Sequence, residues 1–548
     1  MTNAASLLAG GEPGRSTVSV RAGSLARAIA IVFFAAAVLW PIVWVAIQGY
    51  TLTGMFEESV GYRYFYSLRK VYDPPAYLFT AQGQSIDVIQ ALIQIALTWL
   101  GFPPTQAEPR IDYFCYASMI VFQLFNISAF AWMIWRIESV GGIVLSALFW
   151  LVPFYEPHQS GIYTLLQPDY MTLECALALV AAGSILRIHH TPAWRMSRIV
   201  FFGLFIGTAV ATKITFLTYP SVAFAYAILQ ERDLRKAAVK TIYVGLIGVA
   251  WWLLLAVGDS AGHLLYAITN VRDLLTFMAA GSGDIVKQDY NWPVWLVRQI
   301  IRSPVYLALI YATPIFAMIA LLISRTKQQF TLSAPFLLVS VGSNNRDYPN
   351  SLIEAAFFFE LALFVLVPLV LLPRLSKNVG RAVVVLAWPI AILLCGFIAG
   401  WFPIGVWALV GNAKQNTEFQ KDLAGVQEKI SGKRIWLVPT NYYRPLSIDS
   451  AIMKGGAVGG SSTMRMMFPD RDYRFQDPKP VHLADYKAVL FVAYEELDQA
   501  IARISSEYSI DLSAWRCRQV GLLGDPNVGS SCYQDIIMCT PDAAGSTS

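Results

Sequence analysis

The chain is expected to be an α-helical polytopic membrane protein with a soluble α/β domain at its C-terminal end. Three observations predict this. Of 548 residues, 56% are hydrophobic and only 14% are charged, whereas soluble domains carry roughly 25% charged residues. Apolar runs of membrane-spanning length recur, separated by short polar loops whose basic residues alternate in placement. From Asn412 onward the composition becomes that of a soluble domain.

Several classes are excluded early. The net charge is +5, and no basic face interleaved with aromatics points to nucleic acid. The six cysteines include no CxxC pair, so no zinc or redox signature exists. His189-His190 lies beside arginines between apolar runs and reads as a solvated loop before it reads as a metal site.

Residues 1–24 are polar, rich in Gly and Ser, and expected to be disordered. The run from Leu25 to Gln48 is too long for a signal-peptide core. It predicts a first membrane helix whose basic N-terminus is cytoplasmic, which puts the following loop outside. That loop, within residues 49–111, carries Glu57, Glu58, the aromatic ribbon Tyr62, Tyr64, Phe65 and Tyr66, and then Asp73-Pro74-Pro75. Ser85–Gly101 carries Asp87, Gln90 and Gln94 and reads as a helix lying on the outer membrane surface.

Spans are expected at Tyr113–Trp135, Gly141–Phe154 and Tyr170–Leu186. Ile199–Leu229 is long for one helix and short for two, since each full crossing needs about 20 residues. Both its flanks are basic, with Arg195 and Arg198 before and Arg232, Arg235 and Lys236 after. Two short helices meeting near the outer face satisfy this, with Lys213 at the apex. Further spans are read at Ala238–Val257, Pro304–Ile323, the short Thr331–Val341, Ile353–Leu372 and Val383–Val410, for a total of about eleven. The domains then run 25–411 in the membrane and 412–548 outside it.

In the second domain Thr417–Ile430 and Tyr494–Tyr508 read as helices, and Arg434–Val438 and Ala488–Ala493 as buried strands. Cys517, Cys532 and Cys539 allow one bridge in an oxidising compartment, and Cys517/Cys532 is the first choice. Gly455–Gly460 is Gly-rich without the Lys-Ser/Thr of a P-loop and reads as a loop.

The motifs and their order resemble the GT-C superfamily of polytopic glycosyltransferases, in particular bacterial protein mannosyltransferases and lipid A aminoarabinose transferases. Glu57-Glu58 matches the acidic pair of the first outer loop. Asp73-Pro74-Pro75-Ala76-Tyr77 matches a His-Pro-Pro-Leu-Tyr-like motif with Asp for His. Gln167-Pro168-Asp169 fits an Arg-Pro-Asp-like motif that opens a later helix. Thr212-Lys213 matches a Thr-Lys pair between short helices, and Arg346-Asp347-Tyr348-Pro349 matches an Arg-Tyr-Pro-like motif with one residue inserted. The resemblance covers about Leu25 to Leu372.

The resemblance implies a polyprenyl-phosphate sugar donor, an envelope glycolipid, polysaccharide or protein as acceptor, and a bacterial plasma-membrane location with surrounding lipids as partners. It implies no certain cofactor and leaves a divalent cation open. An acceptor hydroxyl loses its proton as it attacks the anomeric carbon, and a carboxylate within hydrogen-bond reach takes it. Glu57, nearer the membrane helix, is preferred as that base, with Glu58 positioning the acceptor or tuning the pKa. The departing phosphate needs positive charge, for which Lys213 and Arg346 are candidates. Asp73, Tyr77, Asp169 and Tyr348 complete the expected substrate contacts.

Each feature has a plainer reading. The glutamates suit a solvated loop end, Asp73-Pro74-Pro75 a stiff turn, and Asp169 a helix N-cap. Lys213 and Arg346 suit snorkelling to lipid headgroups, and the tyrosines suit interfacial anchoring. Two other functions remain open: a scaffold that binds lipid-linked glycan without catalysis, and a transporter or flippase. The latter is expected to show inverted repeats, and none is found.

Overall fold

The computed structural model describes residues 17–52, 84–102, 108–155, 170–257, 304–343, 351–374, 435–437, 483–485, 487–493, 496–523 and 534–541, with isolated positions 67, 70, 71, 396, 409–411, 413, 414 and 417. The chain divides into two compact units. One holds Met1–Trp40, Phe79–Ile89 and Met119–Val406; the other holds Pro41–Leu78, Gln90–Ser118 and Trp407–Ser548.

Among the described residues, the helices up to residue 374 include α1 Thr17–Ile47, α2 Gln84–Trp99, α3 Glu108–Ile134, α4 Val140–Tyr155, α5 Tyr170–His190, α6 Met196–Thr212, α7 Thr218–Leu229, α8 Leu234–Val257, α9 Pro304–Leu322, α10 Lys327–Ser343 and α11 Ser351–Leu366. Among the described residues, four helical stretches are long and apolar enough to cross a membrane: Gly23–Ile47, Asp112–Ile134, Thr172–His190 and Leu234–Leu255. Five shorter apolar helices accompany them. The first helix starts at Thr17, upstream of the expected Leu25, so residues 17–24 are helical and not irregular.

Burial separates two faces of the first helix. On α1, Phe34, Val38, Ile42 and Val45 are buried, while Val32, Phe33, Trp40 and Trp44 are exposed. That spacing is a helix face. Phe34 stacks on Phe130 at 4.3 Å and meets Phe154 edge-on at 5.8 Å. On α8 the apolar residues Ile242, Leu246, Val249 and Leu254 are all exposed. Apolar surface of that extent belongs in lipid and not in water, and the chain is accordingly read as an integral membrane protein.

Packing of α6 on α8 is made close by glycine. A Cβ on Gly207 would lie 2.6 Å from the Gly248 carbonyl oxygen, and one on Gly203 would lie 2.5 Å from Ile247. Gly203 and Gly207 form a small-xxx-small pair of the kind that lets membrane helices touch backbone to backbone. Helix α5 is the most enclosed of the four long spans, 83% buried. At α11 the chain passes into a π-type turn at Val367–Leu371, where Pro368 lacks an N–H to continue the ladder.

Two expectations about this region change. Helix α10 spans Lys327–Ser343, longer than the expected Thr331–Val341, because Lys327, Gln328 and Gln329 add a polar first turn. His189 and His190 are the last residues of α5 and not a loop. His189 Nδ1 lies 3.0 Å from the Tyr226 hydroxyl and 3.1 Å from Gln328 Nε2, linking α5, α7 and α10.

One end of the first unit carries a basic and aromatic rim. Arg27 donates to the Ile137 carbonyl at 3.1 Å and lies over the Trp135 ring. Arg187 lies 4.1 Å over Trp132. Lys240 lies over Trp194 and pairs with Glu231. Arginine and lysine stacked on tryptophan at helix ends are what a headgroup boundary selects.

The second unit contains a four-stranded sheet of order β1-β2-β4-β3, with β1 Ile435–Leu437, β2 Ala488–Ala493, β3 Trp515–Leu523 and β4 Gln534–Pro541. β1 runs parallel to β2, and β4 pairs antiparallel with both β2 and β3. Helix α12, Leu497–Tyr508, packs Ala500 and Ile504 on Val489, Phe491 and Ile537. It stops at Ser509, which takes φ +52°, while the Ile510 N–H caps the Ser505 carbonyl. The strand expected at Ala488–Ala493 is present, Ile435–Leu437 forms a strand within the expected Arg434–Val438, and β3 and β4 were not expected. The disulfide is Cys517–Cys539 and not Cys517–Cys532. The two cysteines are register partners on adjacent strands, which sets their Cβ atoms side by side. Cys532, all but Thr417 of the expected helix Thr417–Ile430, the Gly-rich run at 455–460 and most of the expected last span lie outside the described residues.

Candidate active site

Of the expected site residues, the structure describes Lys213, at a break between two helices. Helix α6 ends at Thr212, and Lys213 takes an extended backbone, φ −162° and ψ 131°. Its N–H still closes the last turn on Ala209 at 3.0 Å, and its carbonyl accepts from Phe216 at 2.8 Å. A 3₁₀ turn, Ile214–Leu217, then leads into α7. Lys213 is half-buried, with Nζ 5.7 Å from the centre of the Phe216 ring. A basic side chain beside freed helix-end backbone is expensive in lipid unless it lines a polar site.

The break is tied to the start of α2. Thr212 Oγ1 donates to the Thr208 carbonyl at 2.8 Å and lies 2.6 Å from Ser85 Oγ. A threonine hydroxyl has one proton, so Ser85 is the donor in that pair. Beside it, Gln84 accepts from Trp252 Nε1 at 2.9 Å, and Thr208 accepts from Trp251 Nε1 at 2.9 Å. The first residues of α2 are thus fastened to both α6 and α8. On the far side of the break the Tyr219 hydroxyl donates to the buried Glu174 carboxylate on α5.

Helix α2 has an unexpected orientation. Asp87, Gln90 and Gln94 share one helical face, and all three are buried. Leu92 and Trp99 are exposed. A helix lying on the membrane with its polar side to water would show the reverse. Polar residues that face inward in a membrane protein are costly, and they mark polar interiors and substrate paths.

A second polar arrangement, within the other unit, holds Tyr50–Leu52 just after α1. Asp112, on the first turns of α3, accepts from Thr51 Oγ1 at 2.6 and 2.8 Å and from the Leu52 N–H at 2.7 Å. The Tyr116 hydroxyl donates to the Tyr50 carbonyl at 2.7 Å. Thr417 Oγ1 accepts from the Thr51 N–H at 2.9 Å. Glu57 follows Leu52 by five positions.

The other expected site residues, Glu57, Glu58, Asp73, Tyr77, Asp169, Arg346 and Tyr348, lie outside the described residues. Asp169 immediately precedes the first residue of α5, and Tyr348 lies three positions before α11. Residues that the sequence reading passed over are Asp112, Glu174, Ser85 and Thr51. Asp112 carried a weak signal, an acid just ahead of an apolar run. Among the described residues no group of three or more His, Cys, Asp and Glu is placed to hold a metal ion.

No family model matches the sequence, and no curated protein matches it. Solved structures do. One is ArnT from Cupriavidus metallidurans bound to undecaprenyl phosphate, at 13% identity and TM-score 0.48, covering 94% of this chain and 98% of that one. Another is the same ArnT in the apo state, at 12% identity and TM-score 0.43, covering 95% and 98%.

Proposed function

We propose that this protein is an inverting membrane glycosyltransferase. It moves a sugar from a polyprenyl-monophosphate carrier to an envelope acceptor at the outer face of the membrane. Glu57 takes the proton of the acceptor hydroxyl as that oxygen attacks the anomeric carbon, and Glu58 orients the acceptor. The sugar–phosphate bond breaks as the new glycosidic bond forms, and the lipid phosphate leaves as a stabilised anion. Lys213 and Arg346 supply the positive charge that this anion needs, Arg346 through its planar fork. Asp73, Tyr77, Asp169 and Tyr348 contact donor or acceptor.

The observation that carries this reading is the bonded pair Ser85–Thr212, at 2.6 Å. It joins the helix that begins at Gln84, eleven positions after Asp73 in the sequence, to the Thr212-Lys213 break. Ser85 and Thr212, 127 residues apart in the sequence, therefore meet at one buried polar contact. A transporter needs paired broken helices in matching halves, and the sequence offers no such pairing.

In orientation, the basic rim on Arg27, Arg187 and Lys240 is read as cytoplasmic. The Cys517–Cys539 bridge supports an oxidising compartment for the C-terminal domain. Both agree with an active site that faces a compartment poor in nucleotide sugars.

The test is donor use by the purified protein in lipid nanodiscs. Transfer from a polyprenyl-monophosphate sugar is expected, with no transfer from a nucleotide sugar when lipid carrier is left out. Transfer from the nucleotide sugar alone would overturn the donor assignment. A phosphatase fusion after Thr540 should be active and one after Arg195 silent, and the reverse pattern would overturn the orientation.

A further inference from the structure

The entrance to the glutamate loop is held by more bonds than a connecting segment needs. Gly49 takes φ +67° and ends α1, with its N–H on the Ala46 carbonyl at 3.0 Å. Only a residue without a Cβ adopts that conformation freely. The next three residues are each pinned through backbone atoms. The Tyr50 carbonyl is held by Tyr116, the Thr51 N–H by Thr417, and the Leu52 N–H by Asp112. The Thr51 hydroxyl adds a fourth tie, to both oxygens of Asp112. Leu52 is fully buried beyond them.

The holders come from two separate places in the chain. Asp112 and Tyr116 are four residues apart on α3 and so share one face. Thr417 is itself fixed, because its hydroxyl donates to the Ala413 carbonyl at 2.7 Å, which leaves its oxygen lone pairs for Thr51. Hydrogen bonds to a carboxylate are short and roughly twice as strong as neutral ones, and Asp112 receives them at 2.6 to 2.8 Å.

We propose that Asp112 and Thr417 are positioning residues for the reaction: they fix where the chain leaves α1 and so where the loop bearing Glu57 and Glu58 begins. This rests on the reading of Glu57 as the general base. Neither residue touches the reacting atoms in this account. Each acts by removing freedom from Tyr50–Leu52, because displacing a catalytic group by about 1 Å can cost on the order of a hundredfold in rate.

The experiment compares Asp112→Asn, Thr51→Val, Thr51→Ser and Thr417→Ala in the full chain, reconstituted in nanodiscs. Two readouts are taken. Hydrogen exchange reports protection of the Thr51 and Leu52 amides without reference to catalysis. Steady-state transfer from a polyprenyl-phosphate sugar reports kcat and KM separately. Asp112→Asn keeps the size of the side chain but loses its charge and one acceptor oxygen. It is expected to lose protection at Leu52 and to lower kcat about tenfold to a hundredfold, with donor and acceptor KM within about twofold of wild type. Thr51→Val should do the same more weakly, and Thr51→Ser should restore both readouts because it returns the hydroxyl. Thr417→Ala should lose protection at Thr51 alone.

An Asp112→Asn or Thr51→Val variant that loses protection and still turns over normally would overturn the positioning role while leaving the enzyme reading intact. A change confined to KM would also overturn it. A wild-type protein that protects these amides yet transfers no sugar would strike the enzyme reading, and the positioning role with it. Should Asp112→Asn fail to fold, Thr51→Val, which is isosteric, carries the test.

Discussion

Helices α2 and α12 have similar lengths and clear amphipathic spacing, yet they are mounted in opposite ways. On α12 the apolar residues Ala500 and Ile504 are buried against a sheet, while Asp498, Gln499 and Arg503 are exposed. On α2 the polar residues Asp87, Gln90 and Gln94 are buried along with Ile86, Ile93 and Leu97, while Leu92 and Trp99 are exposed. The periodicity is the same; the solvent differs. On α12 the apolar face is buried, which is what an aqueous surrounding favours. In lipid, an apolar face has nothing to gain by burial, and the polar face seeks partners inside the protein. The difference teaches where to look for chemistry in such a chain: on the inner polar faces, and at the ends of the helices that carry them.

That comparison can be broken at its strongest point first. Ile504→Asp puts an unpaired carboxylate between α12 and the sheet. It should cost about 3 to 5 kcal/mol, read as proteolytic release of the C-terminal domain while the membrane helices stay intact. Removing the bridge with Cys517→Ser and Cys539→Ser should cost that domain about 3 kcal/mol, and the same shift should follow reduction of the native protein. Asp87→Leu is the mirror of Ile504→Asp, an apolar residue placed where a polar one is buried. Leaving the groups that face it without their partner should cost about 1 to 3 kcal/mol, measured by denaturant unfolding in detergent. If Asp87→Leu is neutral, the inward polar face of α2 contributes nothing to stability and the contrast fails. The smallest effects are expected on the outward faces. Leu92→Ala on α2 and Asp498→Leu on α12 should each stay within about 0.5 kcal/mol.

Much of the membrane unit was legible because its signals are local. The length of Ile199–Leu229 and its basic flanks foretold two short helices, and the break falls at Lys213. The apolar runs foretold α3 through α9 to within a few residues. What the sequence hid was long-range. The alternation in Trp515–Leu523 was present, but without a partner strand it did not declare a hairpin, and three cysteines permit three pairings. The Asp112 clamp joins residues 60 and 61 positions apart, and such a contact leaves no trace in spacing. Amphipathic periodicity located α2 but not the side on which its protein neighbours lie. The glutamates of the first loop rest on sequence alone, since their segment lies outside the described residues.

The central claim is that a carboxylate of the first loop is the general base of a lipid-linked sugar transfer. The most direct measurement is single-turnover transfer from a polyprenyl-monophosphate sugar to a native envelope acceptor, by wild type, Glu57→Gln and Glu58→Gln. Each substitution keeps size and hydrogen-bonding atoms and removes the proton acceptor. The account predicts that Glu57→Gln lowers the chemical rate at least about a hundredfold, while Glu58→Gln acts mostly on acceptor affinity and both variants remain folded. Near-wild-type rates in both variants would contradict it, and would leave the loop as a structural connection in a protein that binds lipid-linked glycan without transferring it.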